Sequence, residues 1–207
     1  WVVEKKAAAT AGEHGSVTST SAWLKEGEST EVTATATPDD GYAFTRWEGD
    51  LGEASPLENP IKVVMTPEKR SLVAVFGQKI VVAADGSGAY TNLEEAVTAA
   101  NSNDVIVIKA GNYPIRDKNM TFFSINKAVT IVSESGDPKD VHLHGFGPWG
   151  NMGGNFQNNG YKLDHKYAIL NGVTLRKFTS DNPGDGQDLA LRIVNGLAEN
   201  VVISNCV

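Results

Sequence analysis

KIVVAADGSGAYTNLEEAVTAANSNDVIVIKAGNY, residues Lys79–Tyr113, decides how the larger part of the chain folds. Lys79–Ala83 is a short strand, and DGSG (Asp85–Gly88) is turn chemistry. Thr91 and Glu94 stand at capping-box spacing, where a hydroxyl and a carboxylate satisfy the first N–H groups of a helix. Leu93, Ala96, Val97 and Ala100 then recur at i, i+3, i+4 and i+7, so one short amphipathic helix is predicted over Thr91–Asn101. DVIVIKAG returns to strand. Nothing like this helix recurs afterwards.

What does recur is a strand. DVIVIKAG (from Asp104), AVTIVSES (from Ala128), GVTLRKFT (from Gly172) and NVVISNCV (from Asn200) each place an apolar run after a small or polar residue. VHLHG (Val141–Gly145) adds another strand between the second and third. Their spacing is roughly one or two repeats of 20–25 residues. Each unit is too short and too apolar to bury its own faces, so stacking is the physical solution. Strands without a recurring helix fit a right-handed parallel β-helix. A leucine-rich repeat needs a regular Leu-x-x-Leu-x-Leu framework, which is missing. The single helix is expected to cover the apolar open end of the coil, where unpaired strand edges otherwise invite association.

The first 77 residues have a different grammar. In EVTATAT (Glu31–Thr37), Val32, Ala34 and Ala36 alternate with Thr33, Thr35 and Thr37, the period of a half-buried strand. PDDG (Pro38–Gly41) ends that strand; Tyr42, Phe44 and Trp47 mark the next. Ile61, Val63 and Met65 alternate again, and Leu72–Phe76 is apolar throughout. The expected organisation is all-β: a small β module over 1–77, then the first coils of a parallel β-helix over 78–207.

Composition is compatible with this. With 41% hydrophobic and 21% charged residues, a disordered chain is excluded. No apolar run is long enough to span a membrane as a helix. The net charge of −7 argues against nucleic acid as a partner. One cysteine, Cys206, excludes an internal disulfide framework; as part of ISNCV it is expected to be an inward, inert thiol. The start at Trp1 and the end at Cys206-Val207, inside an apolar run, give the expectation of an excerpt from a longer protein.

HGSV (His14–Val17), Gly27–Asp50, Asn59-Pro60, VVM (Val63–Met65) and SLVAVF (Ser71–Phe76) together resemble the divergent internalin-type B-repeat family of bacterial surface proteins. That resemblance implies an extracellular or cell-surface spacer or adhesion module and no chemistry. VVAADGSGAYTNLEEAVTAA with IVIKAGNY resembles the opening of pectin-lyase-like β-helices, and is similar to that of pectin methylesterases. QDLALRI (Gln187–Ile193) with VVISNCV is similar to the stretch where those esterases place an oxyanion-stabilising glutamine, which implies that role for Gln187. Their catalytic aspartate motif is not in this sequence.

Candidate sites are weighed against plainer roles. Gly145–Tyr167 interrupts the repeat with glycines, asparagines and aromatic residues. Rings beside amides suit sugars, so Phe146, Trp149, Asn151, Asn155 and Tyr161 are the candidate ligand-binding residues. The alternative is a loop whose aromatics pin it to the coil. Asp181, Asp185 and Asp188 supply hard oxygen ligands for calcium, although their spacing is not a standard calcium loop and a solvated turn serves as well. His142 and His144 share one side of a strand, the arrangement of a metal pair or of two solvent-facing histidines. Trp23 and Trp47 are possible sugar platforms, with Trp47 the expected core anchor. Asn119-Met120-Thr121 is a glycosylation sequon discounted for want of a eukaryotic context.

No cofactor is implied. The reading that results is a secreted or cell-surface bacterial protein that binds a polysaccharide or another surface partner without catalysis by these residues. The alternative is a carbohydrate-active enzyme, a pectin methylesterase-like hydrolase or a polysaccharide lyase, whose catalytic residues lie beyond Val207.

Overall fold

In the computed structural model, residues 3–115, 122–145, 160–178, 190–204 and 206 are described. The chain divides into two compact units, Trp1–Lys79 and Ile80–Val207.

In the first unit, alternation in the sequence becomes alternation of burial. Its strands are β1 (Lys5–Ala7), β2 (Thr10–Ala11), β3 (Gly15–Ser19), β4 (Ala22–Leu24), β5 (Thr30–Pro38), β6 (Tyr42–Gly49), β7 (Ile61–Met65) and the first part of β8 (Leu72–Val82). β5 sits between β3 and β7, antiparallel to both, and turns Val32, Ala34 and Ala36 inward. β7 faces them with Ile61, Val63 and Met65. β6 pairs antiparallel with β8, with a register shift between Phe44 and Arg46. That shift breaks the period of two, so Thr45, Arg46 and Trp47 are buried in succession. Trp47 is 1% exposed and donates its indole N–H to Glu58 O at 2.8 Å. It is the core anchor the sequence leads one to expect.

Asn59 shows how a loop residue extends a ladder. The β5–β7 pairing ends at Ala34↔Ile61. Two residues further on, the Asn59 side chain accepts from Ala36 N at 2.9 Å and donates to Ala36 O at 2.8 Å. The amide thus does what a paired backbone would do, satisfying both polar groups of Ala36. The Asn59-Pro60 peptide is cis. Gly77 and Gln78, expected to mark the division, lie inside the continuous strand β8.

The second unit opens with the end of β8. Val82 accepts from Lys109 N at 2.9 Å and forms a parallel bridge with Tyr90. Helix α1 (Leu93–Ala99) follows, then β9 (Val105–Ile108), β10 (Gly111–Pro114), β11 (Phe122–Ile125), β12 (Thr130–Ser133), β13 (Val141–His144), β14 (Gly160–Arg176) and β15 (Leu191–Ser204). Among the described residues, these strands form three parallel ladders. Val105, Thr130, Ile169 and Leu197 are in register in the first. Asn112, His142, Thr174 and Val202 are in register in the second. Phe123, Tyr161 and Leu191 are in register in the third. The chain visits the ladders in the same order on each pass, which is the coiling the repeated strands require. β14 and β15 each contribute to all three, with irregular register between Asp164 and Ile169 where β14 turns a corner.

Inward residues stack from coil to coil. Ile106, Ile131, Leu170 and Ala198 form one column, and Tyr113, Leu143 and Leu175 form another. Ile106, Ile131, Leu143, Leu170 and Leu175 are fully buried, each contributing about 1.5–3 kcal/mol of transfer free energy. Neighbouring coils supply the burial that no single coil can.

The helix belongs to the same core through Leu93, Ala96, Val97 and Ala100. Its N-cap is Asn92, whose side chain accepts from Glu95 N at 2.8 Å. The N-cap thus falls one residue after the expected Thr91, and Glu94 Oε1 receives the Tyr161 hydroxyl at 2.8 Å. The last turn has no basic residue of its own. Lys127 supplies one, donating to Thr98 O at 3.1 Å and Ala100 O at 2.8 Å, where the helix dipole favours a cation.

Candidate functional site

The second ladder carries the polar chemistry. In β10 and β13 the residues before and after the buried one face outward, and in β14 the residue after it does. Around Tyr113 these are Asn112 and Pro114; around Leu143, His142 and His144; after Leu175, Arg176, whereas Thr174 is buried and donates to Pro138 O at 2.7 Å. Register therefore gathers side chains that are far apart in sequence. Asn112 Oδ1 lies 3.3 Å from His142 Nδ1 and 3.0 Å from His144 Nε2. Arg176 donates from Nη2 to Asn112 Oδ1 at 2.6 Å and from Nε to His144 Nε2 at 3.1 Å. The two imidazole rings lie edge to face, 6.3 Å apart.

Electrostatics fixes the state of the histidines. Burial, and next the Arg176 guanidinium, lower the His142 pKa; Asp140 opposes them. His144 is pushed down to about 4 by burial, then by Arg176, Lys177 and His142. Both rings are neutral at pH 7. A neutral ring nitrogen either donates or accepts, and His144 Nε2 faces both Arg176 Nε–H and Asn112 Oδ1. Because the guanidinium has no acceptor form, His144 Nε2 accepts from Arg176 and the ring proton sits on Nδ1.

The histidine pair has partners among the described residues. The two rings share a side of β13, as their spacing requires. The lone pair a metal would use on His144 is instead directed at Arg176, whose charge repels a cation. Among the described residues no group of three or more His, Cys, Asp or Glu is placed to hold a metal ion.

All three strands of this cluster run in the same direction, so their C-terminal ends share one edge. Residues 116–121, 146–159 and 179–189 follow β10, β13 and β14 from that edge in sequence. Gly145 directly precedes the second segment and donates its N–H to Arg176 O at 3.0 Å. A Cβ there would lie 2.6 Å from Lys177 O and 2.8 Å from Phe178 Cα. Glycine is what lets successive coils close up beside the histidines.

The proposed binding residues are distributed unevenly. Phe146, Trp149, Asn151, Asn155, Gln187, Asp181, Asp185 and Asp188 lie outside the described residues, as does the sequon at Asn119. Tyr161 is described and is not a surface residue. It is 0% exposed, packed edge-on against Phe123 and Phe178 at ring distances of 6.2 Å. Burial, then the Glu94 carboxylate, raise its pKa well above the ordinary phenol value. The interruption expected over Gly145–Tyr167 ends earlier, because Gly160–Tyr167 belongs to β14. Tyr161 shares the parity of Leu163, and both point inward.

Asn112 and Arg176 escape a search by spacing. Their only signal is parity, each standing one residue from an apolar position in a strand, and register is what makes them neighbours. Cys206 packs against the core, half-buried, with Sγ 3.3 Å from Ser204 O. Trp23 is 63% exposed on β4.

Comparison with known proteins locates one likeness. Residues 6–80 match the family described as Divergent InlB B-repeat domain. That family is typical of surface proteins of bacteria. No curated protein and no solved structure matches the chain. Among the described residues, no helix is long and apolar enough to cross a membrane.

Proposed function

We propose that this is a secreted or cell-surface bacterial protein that binds carbohydrate through the edge at the C-terminal ends of β10, β13 and β14 in a right-handed, pectin-lyase-like β-helix, with the B-repeat module, residues 1–77, as its spacer. The observation that carries the reading is convergence. Asn112, His142, His144 and Arg176 meet on one outward face, beside the edge from which the glycine-, asparagine- and aromatic-rich segment 146–159 follows. Rigid ladders hold the polar groups in place, and insertions on such scaffolds are where ligand-contacting residues concentrate. Phe146 and Trp149 would stack on sugar faces, while Asn151 and Asn155 pair with hydroxyl groups. The B-repeat match supports the surface location.

The test is a panel of immobilised glycans probed with the full chain and with Trp149→Ala. Binding by the parent, reduced at least about tenfold in the variant, is the expected result. Equal binding by both removes Trp149 from the site. Methanol release from methylated pectin would replace the binding role with an esterase.

A further inference from the structure

We propose that Arg176, held by Asn112 and His144, is the binding group for an anionic oxygen group, carboxylate or sulfate, on the ligand of this edge. The proposal deepens the binding reading above, adding that the ligand is recognised by charge.

Three features of the cluster lead to it. First, the guanidinium is oriented by neutral partners. Nε is engaged by His144 at 3.1 Å and Nη2 by Asn112 at 2.6 Å. A guanidinium has five N–H donors in a rigid plane, so these two contacts use one edge. Among the described residues no further hydrogen bond engages the Nη1/Nη2 edge, whose two parallel N–H groups have the geometry that receives a carboxylate or sulfate by a forked pair. Second, among the described residues no carboxylate lies within ion-pair distance of Arg176. Third, among the described residues the charges that act on the two histidines are mostly positive. Lys177 follows directly and acts on His144, both histidines feel the Arg176 charge, and the opposing charge is Asp140, which acts on His142. A half-buried cation with its side chain already fixed loses little rotamer freedom on taking an anion, which favours binding.

The experiment follows the Arg176 side-chain Nε–H and the His144 ring by NMR in the full chain. Sodium acetate, sodium sulfate and uncharged methyl acetate are titrated separately, with chloride holding ionic strength constant. Saturable shifts at Arg176 and His144 with acetate or sulfate, and none with methyl acetate, are expected. The stronger of the two anions identifies the group as carboxylate or sulfate. Arg176→Gln should abolish the saturation at His144, and Arg176→Lys should weaken it at least about tenfold by removing the fork. Absence of saturation in the parent protein overturns the proposal, and that arm depends on no variant folding. Neutral glycan binding on the panel, with no anion response here, would refute the charge assignment and leave the carbohydrate reading intact.

Discussion

His144 holds the cluster together by remaining neutral, and that makes a prediction about acid. Its folded pKa is lowered from 6.5 to about 4, by burial first and by Arg176 next. In the unfolded chain the ring takes up a proton near its ordinary value. The stabilisation is therefore complete above about pH 6.5, and is lost as pH falls toward 4. Protonation also removes the acceptor for Arg176 Nε. NMR titration of the His144 ring should give a midpoint near 4, and Arg176→Gln should move it upward. A midpoint near 6.5 in the parent would mean that the guanidinium does not face the ring.

Two further residues carry measurable consequences. Tyr161→Phe removes the donor to Glu94 Oε1 in the core and should cost about 1–3 kcal/mol in denaturant unfolding, without altering glycan binding. Gly145→Ala forces a methyl group against Lys177 O and Phe178, and overpacking of this kind costs about 1–3 kcal/mol. The same substitution should shift the His144 resonance, since the clash is borne by the backbone that carries Arg176.

Among the elements, the helix separates what a sequence discloses from what it withholds. Leu93, Ala96, Val97 and Ala100 were legible from their period, and all are buried. The cap was not. Thr91 and Glu94 have capping-box spacing, but so do Asn92 and Glu95, and spacing does not choose between them. Glu94 Oε1 receives the hydroxyl of Tyr161, more than sixty residues later in the chain. Asn92→Ala should cost about 1 kcal/mol of stability in denaturant unfolding. No measurable loss would contradict the assignment.

The strands teach the same lesson on a larger span. EVTATAT and VHLHG announce which residues face inward, because a period of two is a local property. Register between coils is not local. Nothing in the sequence aligns Asn112 with His142 or His144 with Arg176; the intervening segments differ in length and only the ladder brings them together. For this reason the histidine pair was visible in sequence as two rings on one side. Its acceptor and its cation were not. Tyr161 erred in the opposite direction, since an aromatic residue after a glycine-rich stretch reads as loop until the strand beginning at Gly160 is known.

For the molecule as a whole, two units of different construction follow one another: mainly antiparallel sheets around Trp47, and parallel ladders around stacked aliphatic columns. The first carries the likeness to a B-repeat. The second carries the polar cluster, and with it the proposed binding function. Hydrogen–deuterium exchange of the full chain tests that placement most directly, with and without the best ligand from the glycan panel. Protection is expected at residues 112–115, 142–145 and 174–178, with no change across 30–65. Protection confined to 30–65, or absent from the ends of β10, β13 and β14, would contradict it.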